Sequence, residues 1–178
     1  MKILFPLVLV AVLAACASTP TVKTDFDPRA DFSTYKTYSW ALKPQVGSPL
    51  VQQRIVDGIS ARLQAAGLRE ATNGDLAIAA HVATSQQQSL ETFYSGGGMG
   101  GWGWRGGWGG MGTATTTVRS YDVGTLVVDM FDARSKQAIW RGSASGTVPS
   151  SPAKVDAQVE AGLTKMFVAF PPGASAAR

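Results

Sequence analysis

Two Ser-Pro steps, Ser48-Pro49 and Ser151-Pro152, divide this chain into an order of elements that few folds accommodate. Serine is a preferred helix N-cap. Proline suits the first helical position, because the N–H it lacks would have no intrahelical partner there. Behind the first step, apolar residues recur at Val51, Ile55, Ile59, Leu63 and Ala66, one stripe at a spacing near four. Gly67 then offers a left-handed C′ residue, with Leu68 placed to pack back on the helix. Behind the second, Val155, Val159, Leu163, Met166, Phe167 and Phe170 form another stripe, stopped by Pro171-Pro172.

Between the two helices the period changes to two. In DLAIAAHVAT, Leu76, Ile78, Ala80 and Val82 share one face, and Ala77, Ala79, His81 and Ala83 share the other. Bulky residues on one face and small or polar ones on the opposite face predict a sheet covered on one side. Strand character continues through Gln86-Gln87-Gln88 to Tyr94 and resumes from Thr113 to Arg119. Gly124 to Phe131 is a further strand, and a turn at Asp132-Ala133-Arg134-Ser135 leads to a last one from Ala138 to Gly142. Before the first helix, Thr21 to Phe26 and Thr37 to Trp40 read as short strands parted by a turn at Pro28. Connections after the first helix are too short for parallel crossovers, so those strands are expected to pair antiparallel. The expectation is an α+β fold: an antiparallel sheet, two amphipathic helices packed on one face as a two-layer sandwich, and a Gly/Trp-rich hairpin loop.

The start of the chain says where such a domain would work. MKILFPLVLVAVLAAC has one positive charge at Lys2, an apolar stretch from Ile3 to Leu13, two small residues and then Cys16. That is the pattern of a secretory signal, and the apolar run falls short of the ~20 residues that span a bilayer. Leu13-Ala14-Ala15-Cys16 resembles the bacterial lipobox, in which the thiol is acylated with diacylglycerol before cleavage on its N-terminal side. Cys16 is the single cysteine of the chain, so neither an intramolecular disulfide nor a cysteine-based metal site can form. A lipid on its thiol gives it a use. Each buried CH₂ adds about 0.8 kcal/mol of membrane affinity, so a triacylated anchor holds durably. Ala17, where an Asp would favour inner-membrane retention, points by the lipoprotein sorting rule to the outer membrane of a Gram-negative host. The expected organisation is a signal peptide over 1–15, a lipidated tether over 16–21, one α+β domain over 22–172 with an insertion at 95–112, and a tail over 173–178. The domain is expected on the periplasmic side.

The formal charge of +4 includes Lys2; without it, 15 basic side chains face 12 acidic ones, a net +3. The basic residues are scattered rather than gathered into the stripe that nucleic acid requires. The membrane, through the lipid, and an envelope protein or glycan are the expected partners.

The insertion, SGGGMGGWGWRGGWGGMG from Ser95 to Gly112, has no apolar period. Glycine loses the most backbone entropy on ordering, so the run is expected to be a flexible hairpin tip outside the core. Trp102, Trp104 and Trp108, with Arg105, are amphipathic groups of the kind enriched at membrane interfaces and protein contacts. These four are the candidate membrane or partner contacts.

Catalytic candidates are sparse. His81 is the single histidine, and no G-x-S-x-G elbow or H-E-x-x-H helix accompanies it. Asp25, Asp27 and Asp31 in DFDPRAD resemble part of a calcium loop but lack its turn glycine and terminal Glu, and read as solvated turn carboxylates. Asp129 is expected to pair with Arg141 across the last hairpin. No catalytic residue, cofactor or metal is therefore expected, and the role is that of a binding or structural accessory module. An envelope enzyme, hydrolase-like, with an unrecognised site is the alternative.

ADFSTYKTYSW before an amphipathic helix, then AAGLRE, DLAIAAHV, YDVGTLVVDMFDARSKQAIWRG and a terminal KMFVAFPP resemble, in that order, a family of small bacterial lipoproteins known as domain of unknown function 4136. The resemblance covers about residues 22–171, and the GTLVVDMFD…IWRG block is its most specific part. It implies an envelope lipoprotein, in which some relatives carry a Gly- and aromatic-rich insertion at the same place. It brings no assigned catalytic residues.

Overall fold

The computed structural model describes residues 19–95 and 113–172. Cys16, the signal segment and the Gly/Trp-rich run beyond Ser95 lie outside the described residues. The elements in chain order are β1 (Thr21–Phe26), a 3₁₀ turn (Phe32–Thr34), β2 (Thr37–Leu42), α1 (Pro49–Ala65), β3 (Arg69–Glu70), β4 (Leu76–Ser95), β5 (Thr113–Asp132), β6 (Ala138–Thr147) and α2 (Pro152–Phe167). The fold is α+β. Among the described residues the strands form one open sheet in the order β1-β6-β5-β4-β2-β3.

The hairpins β4–β5 and β5–β6 are antiparallel, as is the β1–β6 pair. β2 departs from the all-antiparallel expectation: it runs parallel to both β4 and β3, so the sheet is mixed. The reason is the helix. Chain order β2-α1-β4 provides a connection long enough for a parallel crossover, which a short turn cannot. Two residues fix this junction. Gly74 passes so close to β2 that an added Cβ would lie 2.2 Å from the carbonyl carbon of Tyr38. Asp75 then clamps the two strands: its Oδ2 accepts the backbone N–H groups of Lys36 and Thr37, both at 3.0 Å, and the Thr37 hydroxyl at 2.9 Å. The Asp75 N–H donates back to Thr37 Oγ1 at 3.0 Å.

The helix termini follow the sequence with two differences. Ser48 occupies the N-cap of α1, but its side chain makes no capping bond, whereas Ser151 Oγ accepts the Lys154 N–H at the start of α2. Gly67 takes φ +89°, and the Leu68 N–H closes on the Leu63 carbonyl at 3.0 Å. Phe170 falls beyond α2 rather than on its stripe, since the helix stops at Phe167. Its ring instead meets Phe167, Trp140 and Phe32 edge-on, at centroid distances of 5.5, 5.5 and 6.0 Å.

Strand registers put the bulky residues in rows across one face of the sheet: Ile78–Met130–Trp140, then Ala80–Val128–Gly142, then Val82–Leu126–Ala144. Ile55, Ile59 and Leu63 of α1 and Leu163, Met166 and Phe167 of α2 belong to the same buried cluster. Gly142 admits α2, because a Cβ there would sit 2.5 Å from Met166 Cγ; likewise a Cβ on Gly58 would be 2.7 Å from Leu163 Cδ1. Arg62 pairs with Glu160 at 2.5 Å, and Arg54 with Asp156, along the exposed seam between the helices. Exposed pairs of this kind contribute about 0.2–1 kcal/mol each, so the apolar contacts dominate.

Truncating one buried Leu typically costs about 2–5 kcal/mol. Leu126 belongs to the core cluster, whereas Val127 points to the uncovered face. Leu126→Ala should therefore lower Tm by on the order of 10 °C, against a small change for Val127→Ala, in thermal melts followed by circular dichroism. The Asp75 clamp has its own signature. Backbone N–H bonds, first that of Lys36, hold this carboxyl below the usual aspartate range. A depressed folded pKa contributes stability that is present above the unfolded value of about 3.9 and is lost as pH falls through the folded one. Asp75→Asn should lower Tm at pH 7, and the gap from wild type should narrow below about pH 4.

Candidate functional site

At one end of the sandwich the two layers do not close. Small residues there (Gly124, Ala144, Gly146, Gly162) leave an apolar cleft of about 180 Å³ between the sheet and the first turns of both helices. Val46 and Val51 contribute from the α1 side, Val155 and Val159 from α2, and Val82 and Leu126 from the sheet. Val148 lies on the rim with 42% of its surface exposed, and Leu50, in the first turn of α1, is 63% exposed.

Pro20, the residue before β1, lines the same cleft. Thr21 pairs with Ser145, which in turn lies opposite Thr125, so the chain arrives at this end of the sheet from the Cys16 side. β4 and β5 leave the body here as well. β6 pairs with β5 only as far as Val123, and β2 pairs with β4 only as far as Ala79. From Gln86↔Asp122 to Ser95↔Thr113 the two strands have only each other as sheet partners. Pro20, the cleft and a two-stranded arm thus share one end of the molecule.

The uncovered face of the sheet is different in character. Arg141 donates Nε–H to Asp129 Oδ1 at 2.5 Å and Nη2–H to Oδ2 at 2.8 Å, the expected cross-hairpin pair in bidentate form. The Asp129 side chain is only 7% exposed while that of Arg141 is 63% exposed. Hydrogen bonding to Asp129 raises the Arg141 pKa further above its ordinary value, so the guanidinium stays charged. Asp25 sits opposite Arg141 on β1, and a shallow depression lined by Asp25, Asp27, Asp129, Phe131 and Arg141 opens there.

The sequence-based candidates are dispersed by the fold. His81 is exposed opposite Val127 on β4. Asp27 is engaged by Arg29 at 3.1 Å, Asp31 caps the 3₁₀ turn through the Ser33 N–H, and Asp25 accepts the N–H of Phe26. Those three carboxylates are turn and strand fixtures, and among the described residues no group of three or more His, Cys, Asp or Glu could hold a metal. Among the described residues no helix is long and apolar enough to cross a membrane. Cys16, Trp102, Trp104, Arg105 and Trp108 lie outside the described residues. Sequence reasoning missed the cleft; it read the strands of the arm to Tyr94 and from Thr113, but not that they run on past the rest of the sheet. The signal for the cleft was present as glycine and alanine recurring at Gly124, Ala144, Gly146 and Gly162, but it becomes legible only when strand register brings these residues together.

The family profile "Domain of unknown function (DUF4136)" matches residues 22–172, and the chain belongs to that family. No curated protein matches the sequence. Among solved structures, a PDZ domain protein from Parabacteroides distasonis superposes with a TM-score of 0.54 at 13% identity, over 86% of this chain and 36% of that one. The chain thus spans about a third of that protein's length. The PelC dodecamer from Paraburkholderia phytofirmans superposes with a TM-score of 0.50 at 14% identity, over 84% of this chain and 95% of PelC. At such identities the likeness is one of fold.

Arg141→Ala would leave a buried carboxylate without its two charged donors, a loss on the order of 1–3 kcal/mol. Asp129→Ala in the same background should recover part of it, giving a non-additive double-mutant cycle in urea melts.

Proposed function

We propose that this member of the DUF4136 family is a lipid-anchored accessory module of the cell envelope, held through Cys16 on the periplasmic side of the outer membrane, where it binds an envelope protein or glycan. One observation carries the reading: the chain enters the domain at Pro20, on the wall of the apolar cleft and beside the base of the arm. A lipid only a few residues upstream would hold these two features against the membrane, and the opposite end of the sandwich away from it. The apolar lining and the exposed Leu50 and Val148 suit a contact with another apolar surface better than a solvated end. Trp102, Trp104, Arg105 and Trp108 lie in the segment joining the two arm strands, and we assign them to the same contact.

Metabolic labelling with a palmitate analogue tests the anchor. Wild type should be labelled and sediment with membranes, whereas Cys16→Ser should lose the label and the lipoprotein-specific cleavage. Equal labelling of the two proteins would overturn the anchor. Crosslinking in native envelopes followed by affinity isolation then identifies the partner class.

A further inference from the structure

The arm is longer than the tether, and the consequence is geometric. From Cys16 to Thr21 is five residues, which even fully extended span at most about 18 Å. Thr21 pairs with Ser145 opposite Thr125, three residues inside the arm's base at Asp122, so about 10 Å of that reach is used in arriving level with the base. The arm runs on from Gln86↔Asp122 to Ser95↔Thr113, ten residues on each strand, or about 30 Å. A lipid at Cys16 therefore holds the bilayer nearer to the body than the arm's tip can extend. An arm directed toward the bilayer meets it before its tip is reached, and so lies along the bilayer or enters it. A two-stranded ribbon has an open edge on each side, and unpaired backbone groups are not tolerated in hydrocarbon, so it does not enter.

We propose that the arm lies along the lipid headgroups beside the anchor, with the face that carries Leu90 and Val118 turned to the bilayer. This rests on the anchor reading above. Alternation selects the face. Val82–Leu126 and the cleft residues Thr84 and Gly124 continue outward through Gln86–Asp122 and Gln88–Ser120 to Leu90–Val118. Leu90 and Val118 are directly opposite each other, 70% and 55% exposed, on the same side as the buried core but past the end of the helices. The other face shows Gln87 and Tyr121, joined by a hydrogen bond at 3.3 Å, together with Ser89, Arg119 and Thr117. One face thus carries the exposed aliphatic pair, two polar registers beyond the cleft, and the other carries Tyr121 among polar side chains. The bilayer is the occupant because the tether fixes its distance from the arm, whereas nothing aligns the arm of a second copy.

The anchored protein permits a clean test. Its single cysteine would be consumed as a thioether, so a cysteine introduced into the arm becomes the free thiol. Full-length protein is purified from membranes and reconstituted into vesicles of phosphatidylethanolamine and phosphatidylglycerol. Leu90→Cys, Val118→Cys, Gln87→Cys and Thr117→Cys, all at exposed positions, are then labelled with an environment-sensitive dye. Emission should shift to the blue and be quenched by lipid-borne nitroxide at positions 90 and 118, and stay water-like at 87 and 117. Water-like emission at all four positions would overturn the proposal. So would burial that appears only as protein density in the vesicles rises, which would mean that arms pair with one another. Uptake of the thiol reagent by wild-type protein would locate the failure in the anchor instead, because Cys16 would then be free.

Discussion

Everything in this domain is built on the row Ile78–Met130–Trp140 and the way α2 comes down on it. The row crosses three strands at one level, and Trp140 is met from the helix side by Phe167 at a centroid distance of 5.3 Å. The next level on β6 is Gly142, where the missing side chain is replaced by Met166. A helix can approach a sheet this closely only where the sheet offers no Cβ, so one glycine sets the height of α2. Gly58 does the same between the helices by admitting Leu163. The layers therefore touch closely at the Trp140 end and part toward Pro20, where a run of small residues has no bulky partner to fill the gap. The cleft is the consequence of packing that is tight at one end only.

The helices and the central hairpins were legible in the sequence because each carries its own local signal. Ser151-Pro152, the Gly67 closure and the alternation from Leu76 to Val82 depend on neighbours within one turn or one strand. The parallel pairing of β2 was not legible in the same way. Six residues of alternating pattern state that a strand exists but not which neighbour it takes, and the deciding contacts are those of Gly74 and Asp75 with Tyr38 and Thr37, more than thirty positions away. Strand, helix and strand do follow in succession, as a parallel crossover requires, but the short turns after α1 by themselves favour an antiparallel sheet throughout. β3, two residues long, carries too little pattern to be read at all. Of the site, the Asp129–Arg141 pair was legible because a hairpin register can be counted from its turn. The cleft was not, since its lining comes from both helices, three strands and the connections between them.

Polar groups here serve mainly to position backbone. Asp75 and Asp132 both have carboxyls held below the ordinary aspartate range by backbone N–H donors, Lys36 first for the one and Ser135 first for the other. Asp132 also accepts the Tyr35 hydroxyl at 3.0 Å, so the turn before β2 is tied to the turn before β6. These bonds fasten the end of the molecule opposite Pro20 and the cleft. The cleft, whose lining is chiefly apolar, carries the Thr125–Ser145 hydroxyl pair at 2.8 Å but, among the described residues, no such carboxylate clamp. The two ends are therefore held by different physics, one by charge-assisted bonds to backbone and the other by apolar contact.

That asymmetry bears on why a long arm can exist at the cleft end. A two-stranded ribbon is marginally stable alone in water, since each strand has one unpaired edge and neither face is covered. This one does not nucleate alone: β4 and β5 are already paired in register from Leu76↔Asp132 through the buried rows, and the arm only continues that register outward. Its inner residues gain from the cooperativity of the body, and its outer residues gain progressively less. A surface that covers one face, as a bilayer beside a short tether would, adds most where the body adds least. Leu90 and Val118 stand in that outer stretch, five registers beyond the last level at which β6 supports the pair. An apolar pair so placed contributes little to folding the isolated domain and most to a contact made after the domain has folded.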